Sequence, residues 1–256
     1  MLTCGIDIGS RTIEIVIYES ETAKILECCI TDTGSTPTDN VQIHLNSLME
    51  PLGIEYEDLT NTVVTGYGRK SFPLPGKIVT EITCHARGIA HLYPDAKTVI
   101  DIGGQDSKVI GLESDGRVRD FAMNDRCAAG TGRFLEMASE ILEVPLEKMG
   151  SIAIAAKKRV EINSMCTVFA ESEIVGLISK GHPKDEILLG VMESVTKRIV
   201  GLTGRVGIQE SVVLTGGVAK NIGVVRTLEQ EIGTRLIIPE QPQITGALGA
   251  ALLAVE

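Results

Sequence analysis

Apolar residues follow the chain in short and long stretches that predict strands and helices. Residues 12–19 form an apolar, β-branched run that is typical of a buried strand, whereas 81–91 has the spacing of an amphipathic helix. By the same reasoning, further helices are predicted at 41–52, 132–142, 167–179, 184–207, 219–232 and 245–255, and further strands at 62–65 and 211–214. Strands and helices therefore alternate as they do in an α/β protein.

A short motif, Ile-Asp-Ile-Gly, occurs at 6–9 and again at 100–103. In both copies the residues after the glycine turn are predicted to continue as a second strand, so each unit is a hairpin. A dinucleotide-binding turn would be followed by a helix, and neither its glycine fingerprint nor a Walker loop occurs in the chain. The repeat predicts two similar halves.

The two hairpin turns have the chemistry of phosphate sites. Glycine and serine turns present consecutive backbone N–H groups to phosphate oxygens, and a carboxylate can hold Mg²⁺ through water. We therefore expect Asp7 and Asp101 to face one shared Mg²⁺–nucleotide, with Gln105 orienting the attacking water. The alternative is that both are ordinary tight turns with aspartate for turn chemistry. The residues expected to contact phosphates are Gly9, Ser10, Arg11, Gly103, Gly104, Lys108 and Gly132.

A third glycine-rich segment, TGGVAKN at 215–221, follows a strand and opens a helix. Gly216 and Gly217 would let a flat ring approach the backbone, and the helix N-terminus adds positive potential. With Val218 and Asn221 they are expected to contact adenosine. Alone, this segment is only a weak indication of a nucleotide site. As the third element after two predicted phosphate turns, it indicates the adenosine site.

The three segments GIDIGS, DIGGQD and LTGGVAKN resemble the phosphate-1, phosphate-2 and adenosine motifs of the superfamily of sugar kinases, heat-shock chaperones and actin. The resemblance implies a duplicated actin-like ATPase (ribonuclease H-like) fold, with two α/β domains around a nucleotide cleft. The expected domains are 1–95 and 96–244, with a final helix at about 245–256 packing back on the first.

Composition narrows the possible partners. A net charge of −10 over 256 residues argues against a nucleic-acid partner, because phosphate backbones are bound by basic surfaces.

No apolar run approaches the length of a membrane span, and no signal segment precedes the first strand. The expected location is the cytoplasm, where six cysteines are more typical of core residues, nucleophiles or metal ligands than of disulfides.

Cys127 and Cys166 each precede a predicted helix, where the helix dipole favours the metal-binding thiolate. A [4Fe–4S] cluster takes four thiolates, and a two-fold dimer would offer four. Taken by position alone, the two residues are more typical of buried apolar side chains, with zinc ligands and redox thiols as further alternatives. Cys4, Cys28 and Cys29 lie in strand-like runs and are expected in the core.

The segments around these cysteines, NDRCAAGTGRFLE (124–136) and CTVFAESE (166–173), resemble the activator (component A) family of 2-hydroxyacyl-CoA dehydratases, whose relatives serve benzoyl-CoA-type reductases. VVTGYGR (63–69), EITCHARG (81–88) and ITGALGAAL (244–252) extend the resemblance over nearly the entire chain.

This resemblance implies a homodimer in which Cys127 and Cys166 of both subunits hold one bridging [4Fe–4S] cluster. ATP binding and hydrolysis to ADP would drive one low-potential electron to a partner iron–sulfur reductase or dehydratase, with ferredoxin or flavodoxin as donor. Where relatives commonly have Ser-Thr and Lys in the first hairpin, this chain has Arg11 and Glu14, and Met165 stands where a Thr is usual.

Two other functions stay open at this point. One is a small-molecule kinase of the same fold, which would need a carboxylate base that the sequence does not identify and would leave the two cysteines without a role. The other is a cluster-free ATP-binding module that docks a partner. The Gly/Ala run at 246–251 is interpreted as close helix packing rather than as a binding loop.

Overall fold

The computed structural model describes residues 1–125, 127–163 and 166–256, so Met165 lies outside the described residues. The strands are β1 (Leu2–Ile8), β2 (Thr12–Glu19), β3 (Lys24–Asp32), β4 (Asn61–Thr65), β5 (Lys77–Ile78), β6 (Thr98–Ile102), β7 (Ser107–Leu112), β8 (Val118–Asn124), β9 (Val212–Thr215) and β10 (Leu236–Ile237). The helices are α1 (Pro37–Met49), α2 (Glu81–Leu92), α3 (Gly132–Leu142), α4 (Leu146–Ala155), α5 (Thr167–Ser179), α6 (Lys184–Val206), α7 (Ile222–Ile232) and α8 (Thr245–Leu253).

Two compact units make up the chain. Unit 1 comprises residues 1–99, 112–119 and 240–256, and unit 2 comprises residues 100–111 and 120–239. The domain division predicted from the sequence, 1–95 and 96–244, stays a prediction. Among the described helices, none is long and apolar enough to cross a membrane.

The sheet of unit 1 has the strand order β3-β2-β1-β4-β5. The strands β1, β2 and β3 pair antiparallel, whereas β4 pairs parallel to β1 and β5 parallel to β4. Strand β2 is buried at every position except its two ends because both of its faces are covered. Its odd-numbered isoleucines pack with α1, and Val16 and Tyr18 pack with α8.

The second sheet repeats this arrangement. Its order, β10-β9-β6-β7-β8, places each strand where its counterpart lies in the first sheet, with β6 in the place of β1. Apolar residues on one face of its strands form one cluster with the helices from α3 to α7. The repeat inferred from the two Ile-Asp-Ile-Gly motifs is therefore a repeat of whole sheets.

The last helix packs on the first strand, although the two are far apart in sequence. A side chain at Gly5 would come within 1.9 Å of the Ala247 oxygen, and one at Gly249 within 1.7 Å of the Cys84 oxygen. Only glycine fits at these two positions, because the backbones approach too closely for a Cβ atom. This geometry confirms that the Gly/Ala run of α8 serves helix packing.

The predicted helix at 219–232 needs correction. Residues Gly217–Lys220 form a 3₁₀ turn, and α7 begins only at Ile222. Asn221 interrupts the helix because its side-chain oxygen accepts hydrogen bonds from the N–H groups of Gly223 and Val224, as an N-cap does. Strand β8 and helix α4 had no counterpart in the sequence prediction.

Candidate functional site

The first hairpin turn, between β1 and β2, is fixed by its own backbone. The N–H of Gly9 donates to the Thr12 oxygen at 2.9 Å, and the Thr33 hydroxyl donates to the Gly9 oxygen at 2.9 Å. Ser10 is half-buried and Arg11 is exposed. Since the Gly9 N–H is used within the turn, an anion would have to be met by the N–H groups that follow it.

Asp7 lies at the end of β1 with 8% of its surface exposed. An ideal Cβ at Gly66 would lie 2.3 Å from one carboxylate oxygen, and one at Gly246 would lie 2.1 Å from the other. Glycines on both sides thus make room for the carboxylate, and Gly246 is in the first turn of α8, where the helix dipole favours negative charge. Across the hairpin, Asp7 pairs in register with Glu14, which is also buried.

The second turn, in unit 2, gathers more of the predicted residues. The N–H of Gly103 donates to the Asp106 oxygen, and the oxygens of Gly103 and Gly104 accept from the N–H groups of Gly132 and Arg133, both at 2.9 Å. The first turn of α3 is thereby attached to the hairpin turn. Gln105 is exposed at its tip.

Asp101 is 4% exposed, and both of its oxygens have partners. Lys108 Nζ lies 3.1 Å from Oδ2, and the Thr215 hydroxyl donates to Oδ1 at 2.8 Å. The same ammonium group lies 2.9 Å from an Asp106 oxygen. The lysine expected to contact phosphate is therefore a buried cation between two carboxylates.

Asp106 and Thr215 are functional candidates that the sequence analysis missed. The available signal was that Asp106 stands two residues before Lys108, immediately before β7, where alternate residues point to the same face.

The third segment lies beside Asp101. Gly216 has φ of +83°, and a Cβ there would lie 2.3 Å from the Ile102 oxygen and 3.0 Å from an Asp101 oxygen. A glycine is required by both the backbone angle and the close approach. Val218 lies against Gly132, and Gly217 opens the 3₁₀ turn. Unit 2 thus brings its phosphate turn and its predicted adenosine segment together, while Asn221 caps α7.

The two predicted cluster cysteines both lie in unit 2, and neither is fully buried. Cys166 is exposed and is the N-cap residue of α5. Cys127 is half-buried and lies in a loop that ends at Thr131, the N-cap of α3, rather than at the helix end itself. The Asn124 side chain fixes this loop by donating to the oxygens of Cys127 and Ala129 at 2.8 and 3.0 Å.

The other four cysteines are in unit 1 and are unfavourable sites for a thiolate. Burial raises the pKa of Cys84 to about 12 and is the main reason that the pKa of Cys29 rises to about 11. Burial also raises the pKa values of Cys4 and Cys28. The expectation that all the strand cysteines are core residues is wrong for Cys28 and Cys29, which are half-buried because β3 is an edge strand. Within the described residues, no group of three or more His, Cys, Asp or Glu could hold a metal ion.

Known proteins with similar sequences and structures cover the whole chain. An activator of lactoyl-CoA dehydratase from Anaerotignum propionicum is 46% identical over 256 residues, which is 100% of this chain and 98% of that protein. The activator of the 2-hydroxyisocaproyl-CoA dehydratase from Clostridium difficile, solved with bound ADPNP, is 44% identical with a TM-score of 0.91 over 99% of this chain and 94% of that one. Component A of the (R)-2-hydroxyglutaryl-CoA dehydratase of Acidaminococcus fermentans is 42% identical with a TM-score of 0.93 over 99% and 97% of the two chains.

These likenesses confirm the duplicated actin-like ATPase fold and the resemblance drawn from the motifs. A family match extends over residues 4–254, which includes both hairpin turns, Cys127, Cys166 and the last helix. The chain belongs to the BadF/BadG/BcrA/BcrD ATPase family.

Proposed function

We propose that this chain is an ATP-hydrolysing activator that passes one electron at a time to a separate iron–sulfur reductase or 2-hydroxyacyl-CoA dehydratase. Membership of an ATPase family and relatives named as dehydratase activators support this role. The observation that carries the proposal is the division of the cysteines. Burial raises the pKa of the four thiols of unit 1, whereas Cys127 and Cys166 lie in unit 2 in segments that precede helices.

The donor set fits a [4Fe–4S] cluster shared by two copies of the chain. Thiolates are the ligands that such clusters take, and two per chain become four in a two-fold dimer. The first turn of α5 favours an interface with a second copy of the chain, since Val168 and Phe169 follow Cys166 with 68% and 69% of their surfaces exposed. Large apolar side chains beside a ligand are typical of a protein interface. When bound, the cluster supplies a one-electron redox centre.

The two turns supply the side chains that we assign to holding ATP. Lys108 lies 3.1 Å from Asp101, and Asp7 pairs in register with the buried Glu14. A carboxylate can hold Mg²⁺ through water. We assign Asp7 and Asp101 to Mg²⁺, Lys108 to the phosphates and the exposed Gln105 to the attacking water.

For ATP to drive electron transfer, the free energy of its binding must shift the chain between two conformations. A complete switch between two conformations takes about 5.5 kcal/mol of differential binding. At about 2.3 kcal/mol per charge per 100 mV, this energy corresponds to roughly 0.24 V for one electron. Hydrolysis of the γ-phosphate bond to ADP and phosphate then returns the chain to its first state, and ferredoxin or flavodoxin replaces the electron.

Iron and acid-labile sulfide analysis of protein purified without oxygen tests the proposal. We expect about four irons per dimer and an EPR signal after dithionite reduction. Cys127→Ala and Cys166→Ala should each abolish the iron while nucleotide binding persists, and Cys28→Ala, a half-buried thiol of unit 1, is the matched control. A colourless protein that stays without iron after cluster reconstitution would overturn the electron-transfer role and favour a kinase or a docking module.

Asp101→Asn tests the nucleotide site separately. We expect slower ATP hydrolysis with unchanged iron content, because the carboxylate lies at the end of β6 beside the predicted phosphate turn and is not a predicted cluster ligand. Unchanged turnover would remove Asp101 from the site.

A further inference from the structure

Arg198, on α6, places its guanidinium beside the sulfur of Cys127. The distance from Nη2 to Sγ is 3.6 Å, which is within hydrogen-bonding range for an acceptor as large as sulfur. We infer that Arg198 is a positioning residue that raises the reduction potential of the cluster by donating this hydrogen bond. The inference rests on the proposed function, since it requires Cys127 to be a cluster ligand.

The backbone of Arg198 is held by the core of unit 2. Its neighbours Val195 and Ile199 are fully buried, so α6 cannot rotate without exposing them. The aliphatic stem of the arginine passes directly over Gly130. An ideal Cβ at Gly130 would lie 2.7 Å from Arg198 Cγ and 2.8 Å from Arg198 Cβ, so only glycine leaves room for the stem.

The cysteine loop is fixed from its other side. Asn124, at the end of β8, donates to the oxygens of Cys127 and Ala129. The Thr131 hydroxyl donates to the Ala128 oxygen at 2.6 Å. Loop and arginine are thus held by different elements, β8 and α6, and both contribute to where the sulfur meets the guanidinium.

The charge of Arg198 is directed at the sulfur. The neighbouring cation on α6, Lys197, pairs with Glu161 at 3.5 Å, and Glu193 pairs with Arg159 at 3.2 Å. In the parts of the chain that the structure describes, no carboxylate forms an ion pair with Arg198. Its positive charge is therefore not neutralised locally by an acidic side chain.

A cation beside a ligand sulfur favours the reduced cluster. Reduction adds one negative charge, and hydrogen bonds to the sulfurs together with nearby charge set the potential of such clusters. A charge-assisted hydrogen bond is stronger than a neutral one and strengthens as electron density moves onto the sulfur. In a two-fold dimer, two copies of Arg198 would act on the same cluster.

Redox titration followed by EPR tests the inference on the intact, cluster-loaded protein. We expect Arg198→Met to lower the equilibrium constant for one-electron reduction about tenfold, which is about 59 mV for such a couple. Arg198→Lys should give a smaller loss, because it keeps the charge and loses the planar fork. Gly130→Ala should lower the potential as well, because the new methyl group displaces the arginine stem.

Lys197→Met is the matched control, because it removes a cation one residue away that does not contact Cys127. It should change the equilibrium constant by less than twofold. Iron content, measured first, separates the two proposals. Iron-free wild-type protein defeats the proposed function and this inference with it, whereas full iron and an unchanged potential in Arg198→Met overturns this inference alone. Loss of iron in all three Arg198 and Gly130 variants would also overturn it, since the arginine would then serve cluster assembly.

Discussion

Replacing Lys108 by methionine should destabilise the protein far more than replacing an exposed lysine. Lys108 is 3% exposed and lies 3.1 Å from Asp101 and 2.9 Å from Asp106. At an effective dielectric constant of about 20, each contact near 3 Å is worth roughly 5 kcal/mol before the cost of desolvation is subtracted. Removing one partner of a buried pair leaves an uncompensated charge, and we expect a loss of about 3–5 kcal/mol in the free energy of unfolding.

Urea unfolding followed by circular dichroism, without nucleotide, measures this loss. The control is Lys197→Met, because the Lys197–Glu161 pair is more than half exposed and should cost about 0–1 kcal/mol. Adding Asp101→Asn to Lys108→Met should recover at least about 1 kcal/mol, since the orphaned charge is removed. Equal losses in Lys108→Met and Lys197→Met would refute the account of a buried ionic cluster.

Three further outcomes follow from the same geometry. Gly216→Ala should lower the free energy of unfolding by about 2 kcal/mol, because it strains a positive φ and strikes the β6 backbone, whereas Gly201→Ala in open space on α6 should raise it by about 0.5–1 kcal/mol. In iron-free protein at pH 8, mass spectrometry should find iodoacetamide on exposed Cys166 first. Cys29 should react roughly 100-fold more slowly than an ordinary thiol, because its pKa is raised from 9.0 to about 11. Burial raises the pKa of Cys84 from 9.0 to about 12. Because the unfolded chain loses this proton above pH 9 while the folded chain keeps it, the free energy of unfolding should decline by about 1.4 kcal/mol per pH unit between pH 9 and 12. In Cys84→Ala the free energy of unfolding should depend less on pH over that range, and an equal pH dependence in both proteins would contradict the buried thiol.

The sequence was sufficient for the parts of the fold that depend on local pattern. Helices α3 and α5 begin and end at the predicted residues, and α3 buries the regular apolar face that its spacing predicts. The two hairpins follow from β-branched runs after a glycine turn. By contrast, β8 exposes Phe121 and carries charged residues, so its pattern does not distinguish it from a loop.

The site was predictable in its residue types and less so in its contacts. The phosphate role of Lys108 stays a prediction. Its ion pairs with Asp101 and Asp106 depend on a three-dimensional approach that the sequence does not show. Arg198 could not be found from the sequence at all. It lies 71 positions from Cys127, and its approach depends on the packing of α6 against the cysteine loop.

The duplicated halves differ at one equivalent position in the charge of a buried side chain. Seven residues after the aspartate of each motif, unit 1 has Glu14 and unit 2 has Lys108, and both side chains are buried. In unit 1 this residue pairs in register with Asp7, whereas in unit 2 it lies 3.1 Å from Asp101. The two hairpins therefore place side chains of opposite charge beside equivalent aspartates.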